Sequence, residues 1–305
     1  MFTTAVLGLD NTGTSLETNN SVFIIGCGDI GRRVAALHLQ QGDGITALAR
    51  SADSAARLEA HGIAAINGDL DDPRSLKAST LDSQLLYYFA PPSGDGGTDK
   101  RMENFIGALH TRHMPRKIIY LSTSGVYGDC RGAWVSEDTP PHPQTPRAQA
   151  RLAAETALID WSKQSRVPVV ILRVGGIYGP GRLPIERIRE GLPVLREGEC
   201  PYTNRIHADD LARVCLAAAE RGQAGIYNVC DGEPSTMTDY FNAVADLLQL
   251  PRPPHISMAE AQRKLSPAML SYLTESRRMD NRRMIEELGV TLLYPNLQAG
   301  LAASL

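Results

Sequence analysis

The chain has 305 residues, 43% apolar and 21% charged, which suits one or two domains with sizeable cores and excludes a disordered or fibrous protein. Its 31 basic and 34 acidic residues leave a formal net charge of −3, so neither nucleic acid nor an anionic membrane is expected as a partner on charge alone. No apolar run nears the roughly 18 residues of a membrane helix, and the five scattered cysteines form no CxxC pair, so the reading is a cytoplasmic protein with reduced thiols and no metal site.

Residues 1–20 mix Thr, Asn, Gly and Asp without apolar rhythm and read as a poorly specified leader, with one short strand candidate near Ala5 to Leu7. From Ser21 onward, short runs rich in Val and Ile alternate with segments of helical period. Strands are expected at Val22 to Ile25, Ile45 to Leu48, Ala64 to Ile66, Leu85 to Phe89, Ile118 to Leu121 and Val169 to Leu172. Helices are expected at Ile30 to Gln41, Ala52 to His61, Lys100 to His113 and Arg147 to Ser165. This alternation predicts an α/β fold, a Rossmann-type doubly wound parallel sheet with helices on both faces. Gly179-Pro180-Gly181 breaks the rhythm, and Arg182 to Tyr202 reads as inserted, substrate-covering structure. Asp209 to Arg221 is helical again, Gly225 to Val229 is one more strand, and Thr236 to Leu305 carries helices separated by Pro251, Pro253 and Pro254.

The most informative stretch is Val22-Phe-Ile-Ile-Gly26-Cys-Gly28-Asp29-Ile30-Gly31, a G-x-G-x-x-G run directly between a strand and a helix. Gly26 permits the tight turn, Gly28 lets backbone approach a pyrophosphate, and Gly31 lets the helix pack on the strand. Asp29 and Ile30 then open a helix whose free N–H groups and dipole favour phosphate. An acidic residue about 20 positions further on would grip the ribose 2′-hydroxyl of NAD. This chain has Arg50 and Ser51 there, a guanidinium and a hydroxyl suited to a 2′-phosphate, so NADP(H) is favoured over NAD(H); Asp53 is the residue that could reverse the choice.

The domain plan follows: a leader at 1–20, a dinucleotide-binding domain at 21–180 with 207–230 returning to the sheet, and a smaller C-terminal substrate lobe from 181–206 and 231–305. From Val22 to about Pro295 the chain resembles the extended short-chain dehydrogenase/reductase family, the NAD(P)-dependent epimerase/dehydratase group. Six motifs carry the resemblance in order: the glycine turn, Gly68-Asp-Leu-Asp-Asp-Pro73, Leu121-Ser-Thr-Ser-Gly-Val-Tyr-Gly128, Leu172-Arg-Val-Gly-Gly-Ile-Tyr-Gly-Pro180, Arg205-Ile-His-Ala-Asp-Asp-Leu211 and Tyr227-Asn-Val229. The resemblance implies that Asp69 and Leu70 flank the adenine, that Ala90 and Pro91 line the nicotinamide ribose, and that Thr123 orients substrate.

One departure limits what carries over. The family's acid/base unit is a Tyr with a Lys four residues later, and here Arg147 and Arg151 stand at those positions. None of the five lysines has a Tyr four residues before it, so the chain resembles atypical members lacking the pair. Arg does not give up a proton near neutral pH, so Arg147 would clamp an anion or polarise a carbonyl, and Arg151 would hydrogen-bond the ribose. Both also suit an exposed helix face. Tyr127 is a candidate proton donor beside Thr123, though its place in a family motif also suits packing, and Arg182 and His207 are candidate substrate contacts, His207 also suiting an anchor for the loop before a helix. His110 and His113 signal no third metal ligand. The expected function is hydride transfer at a carbonyl or alcohol carbon of a small, anionic substrate, by a chain open to pairing as a homodimer. A non-catalytic, NADP-binding sensor is the alternative.

Overall fold

The computed structural model describes residues 20–76, 84–94, 96–109, 114–265, 267–271 and 273–305. The expected leader with its Ala5 to Leu7 strand candidate, and the pair His110 and His113, lie outside them apart from Asn20.

The chain opens with β1 (Ser21–Ile25), α1 (Asp29–Gln40), β2 (Gly44–Ala49), α2 (Ala52–Glu59) and β3 (Ala64–Asn67). It continues through β4 (Leu85–Tyr88), α3 (Lys100–Ala108), β5 (Lys117–Thr123), β6 (Trp134–Val135), α4 (Pro146–Ser165) and β7 (Val169–Val174). After β8 (Gly176–Tyr178), α5 (Ile185–Arg189), β9 (Val194–Leu195), β10 (Tyr202–Thr203) and β11 (Arg205–His207) come α6 (Ala208–Glu220) and β12 (Gly225–Val229). The C-terminal part adds β13 (Ser235–Thr236), α7 (Met237–Leu247), β14 (His255–Ile256), α8 (Met258–Lys264), α9 (Pro267–Leu270), β15 (Arg278–Met279), α10 (Arg282–Leu288) and α11 (Leu297–Ala302).

The central sheet runs β12-β7-β5-β4-β1-β2-β3, and every pairing in it is parallel. The crossover from β1 through α1 to β2 builds one half, and the chain then returns past β1 to β4 to build the other. Strand order therefore reverses between β1 and β4, where a crevice opens at the strands' carboxyl ends.

Period-two alternation assigns the strand side chains to two layers. Val22 and Ile24 of β1 pack with Val34 of α1 and Leu211 and Val214 of α6, whereas Phe23 and Ile25 pack with Met102 and Phe105 of α3 and Leu158 of α4. Both faces are covered, which explains why these strands read as unbroken apolar runs. A separate core of Tyr178, Ile188, Val194, Tyr240, Phe241, Val244 and Leu301 holds the C-terminal lobe together.

Three helix starts show why the chain turns where it does. The Ser51 hydroxyl and Ser54 form a reciprocal capping box at α2, and the Thr145 hydroxyl accepts from Ala148 N–H, with Pro146 at the first helical position of α4. The start of α1 differs: Gly28 stands at its cap with no side-chain hydrogen bond, leaving the first amides free for a ligand.

Candidate functional site

At the crevice, Gly26 adopts φ +81°, and a Cβ there would meet Ala90 N at 2.4 Å. The backbones of the β1 and β4 ends thus touch through a residue that only glycine fills. A Cβ on Gly28 would approach nothing closer than 4.0 Å, so the space above this turn is open, while one on Gly31 would press on Gly26 O and Cys27 Sγ at 3.3 Å. The three glycines therefore differ in duty: a backbone crossing, an open phosphate approach and a helix-to-strand contact. Burial pushes the neighbouring Cys27 thiol up to about 11.

Asp29 takes hydrogen bonds from Arg33 Nε at 3.1 Å and Arg182 Nε at 2.6 Å, and Arg33 also donates to Asp209. The two guanidiniums hold the Asp29 carboxyl below the usual carboxylate range. Arg182, a candidate substrate contact in the sequence, is carried by the loop after Pro180 to the glycine turn instead, where it joins the segment that enters the C-terminal lobe to the start of α1. Arg50 and Ser51 are exposed at the end of β2, Ser51 being occupied as the α2 cap, and Asp53 lies in the first turn of α2. Asp69 closes its own turn by accepting from Asp71 N–H at 2.9 Å, and Leu70 is buried in the core.

Arg151 lies against the end of β4, where its Nη1 donates to Ala90 O at 3.2 Å and to the Tyr120 hydroxyl at 3.1 Å. Pro91 lines a cavity of about 510 Å³ with Pro92, Ser93 and Arg147. A second cavity, of about 190 Å³, is walled by Thr123, Gly125, Arg147, Asn204, Arg205 and Arg277, among others. Arg147 is exposed and belongs to both walls, as do Thr145 and Ser271. The Thr123 hydroxyl accepts from Gly125 N–H at 3.2 Å, which turns the chain at the end of β5.

Two expected site residues are elsewhere. Tyr127 is buried, donates to Asn228 Oδ1 at 2.7 Å and lies under the Arg173 guanidinium; burial raises its pKa, so it is a packing residue. His207 is fully buried as the α6 cap, where its Nδ1 accepts from Asp209 N–H at 3.2 Å, and burial lowers its pKa. Neither lines the two cavities.

Several residues that face the smaller cavity were given no site role by the sequence. Glu275 Oε2 accepts from Arg277 Nη1 at 2.8 Å, its Oε1 is buried with no hydrogen-bond partner, and Arg277 also donates to Gly128 O at 2.7 Å. Tyr202 and Asn204 complete that wall. Arg205 is buried over the Tyr240 ring, with its Nη2 on Thr203 Oγ1 and Thr236 O and its Nε unpartnered. Beneath the cavity, Glu155 takes a two-pronged ion pair from Arg173 and a hydrogen bond from Ser122. Among the described residues, no cluster of His, Cys, Asp or Glu could hold a metal ion, and no helix is long and apolar enough to cross a membrane.

A parallel sheet with a reversed strand order, a glycine turn at the reversal and a lobe over the same crevice define a dinucleotide-binding protein of the Rossmann type. The model of the NAD dependent epimerase/dehydratase family matches residues 22–230, and the chain belongs to that NAD(P)-dependent family. Similar proteins include GDP-6-deoxy-D-mannose reductase of Pseudomonas aeruginosa, 28% identical over 48% of this chain and 54% of that protein. Another is 3-diazoavenalumate denitrifying reductase of a Streptomyces species, 30% identical over 55% of this chain and 58% of that one. The chain thus spans about half the length of these curated relatives. A solved structure of a functionally unknown conserved protein from Silicibacter pomeroyi matches at 32% identity and a TM-score of 0.77, over 93% of this chain and 98% of that one. UDP-glucose 4-epimerase of Thermotoga maritima shares the fold, at 18% identity and a TM-score of 0.76.

Proposed function

We propose that the chain is an NADP(H)-dependent oxidoreductase acting on a small anionic carbonyl or alcohol. The observation that carries this reading is the glycine turn at the sheet's reversal, with an open approach over Gly28 and uncapped amides at the start of α1. The residues fit the cofactor along its length: Arg50 for the 2′-phosphate, Asp69 and Leu70 for the adenine, the α1 amides for the pyrophosphate, and Ala90, Pro91 and Arg151 for the nicotinamide ribose. When bound, NADP(H) supplies or accepts the hydride.

The chain's own groups supply the rest. Arg147, between the two cavities, presents a permanent cation to a carboxylate or phosphate, while Arg277 in the smaller one is ion-paired with Glu275. Thr123 orients the reacting oxygen. A guanidinium cannot exchange the proton, so that duty falls to the Glu275 carboxyl, held by Arg277 on the same wall. Titration calorimetry tests the cofactor half: NADPH should bind more tightly than NADH, Arg50→Glu should erase or invert the preference, and equal affinities in the unaltered protein would end the NADP(H) assignment. For the substrate half, Arg147→Ala should weaken a small 2-oxo acid bound beside NADP⁺ by about 1.5 to 3 kcal/mol. Glu275→Gln should lower turnover while leaving NADPH affinity intact.

The presence of Arg147 and Arg151 where the family keeps a Tyr and a Lys favours a second reading, a protein that binds NADP(H) without turning it over. Tight NADPH binding with no oxidation across a panel of small oxo acids would select it.

A further inference from the structure

Beside the smaller cavity, across Met237, which faces both, the C-terminal lobe carries an open-mouthed chamber of about 200 Å³. Its walls are Val194, Leu195, Phe241, Leu265 and Leu273, with Met269 and one charged residue, Arg187. Arg187 belongs to α5, and its guanidinium lies over the Phe241 ring, 5.2 Å from the centroid, and donates from Nη1 to Met269 Sδ at 3.1 Å. Its Nε is buried without a hydrogen-bond partner. Among the described residues no carboxylate comes within 4.0 Å of it; Glu190, three residues along the chain, is the acidic group whose charge it feels. Burial lowers its pKa.

A half-buried cation with a thioether and a phenyl ring for neighbours has lost part of its hydration without an opposite charge at ion-pair distance. Its guanidinium lies over Phe241 and on Met269 at the wall of this apolar space. A dry cavity of about 150 Å³ is large enough for benzene, so this one accommodates a ring with a short arm. A group that fills the chamber and ends in an anion would satisfy both walls at once, covering the apolar side chains and giving Arg187 a charge-assisted partner.

We propose that this chamber is a binding site for a small apolar carboxylate, an arylalkanoate or a short-chain fatty acid, with its body among Val194, Phe241 and Leu265 and its carboxylate on Arg187. The assignment stands on the chamber alone; it depends on the function proposed above only for its neighbour across Met237.

The test is calorimetric titration of the full chain with 3-phenylpropionate and with its neutral isostere 3-phenylpropionamide, NADPH being titrated separately as a check of the other site. The acid should bind with a Kd below about 1 mM and the amide about tenfold or more weakly. Arg187→Gln should remove that difference. Leu265→Phe, which fills the chamber, should abolish binding of both, and both variants should keep the NADPH affinity of the parent. Acid and amide binding equally well, no binding of either, or an acid affinity unchanged by Arg187→Gln would each overturn the proposal. A parent chain that fails to bind NADPH would instead overturn the cofactor reading and leave this one standing.

Discussion

Gly26 and Gly28 are two residues apart and look alike in the sequence, yet the structure separates what substitution does to each. A Cβ at Gly26 collides with the Ala90 backbone, and φ +81° adds strain, so Gly26→Ala should cost about 3 kcal/mol or more of stability, read by urea unfolding. Gly28→Val has room to fold and should abolish dinucleotide binding with an unchanged circular dichroism spectrum. A folded Gly28→Val protein that binds NADPH normally would reduce the turn to a structural element. Asp231 is a different case: burial near the end of β12 raises its pKa from the ordinary 3.8 to about 7, and its Oδ2 has no partner. The folded state then holds a proton that the unfolded state has released across about pH 4 to 7, so stability falls as pH rises through that window. Asp231→Asn keeps an oxygen for Glu233 N–H. In urea unfolding it should leave stability unchanged at pH 4 and raise it at pH 8 by about 2 to 4 kcal/mol.

At the scale of elements, the sheet strands and major helices were legible, and the small elements that roof the site were not. Val22 to Ile25 and Val169 to Leu172 announce themselves because burial on both faces demands continuous Val and Ile. The walls contributed by Tyr202, Thr203 and Arg205 and by Ser271, Glu275 and Arg277 belong to strands of two or three residues and to irregular chain, where no period can develop. Glu275 is thus invisible in sequence, since its place on the cavity wall depends on Arg277, which the Gly128 carbonyl also holds. Tyr127 and His207 each lie in a family motif, where the sequence alone leaves site and packing duties both open, and their burial favours packing. The Glu155–Arg173 pair, which fixes α4 against β7, went equally unmarked. Both side chains are almost wholly buried, so Glu155→Gln should destabilise by about 3 to 5 kcal/mol by stranding the Arg173 charge, a loss that thermal unfolding would register.

For the molecule as a whole, the reversal between β1 and β4 opens a crevice at the strands' carboxyl ends, and residues of the C-terminal part share the wall of the smaller cavity with Thr123 and Gly125 from the end of β5. Arg182 joins the two parts through Asp29, within a cluster that also contains Arg33 and Asp209. Two guanidiniums and two carboxylates sum to zero charge, so this cluster adds no net attraction for a pyrophosphate, and the exposed Arg32 beside the turn stands outside it. Attraction between exposed charges fades with ionic strength, and a rim so nearly balanced leaves little attraction to fade. NADH affinity should therefore change little as salt is raised. On the cofactor reading proposed above, the additional phosphate of NADPH would meet the exposed Arg50, where screening acts fully. Ionic strength would then tune the choice of cofactor, with selectivity for NADPH widest in dilute buffer and narrowing steadily as salt is added.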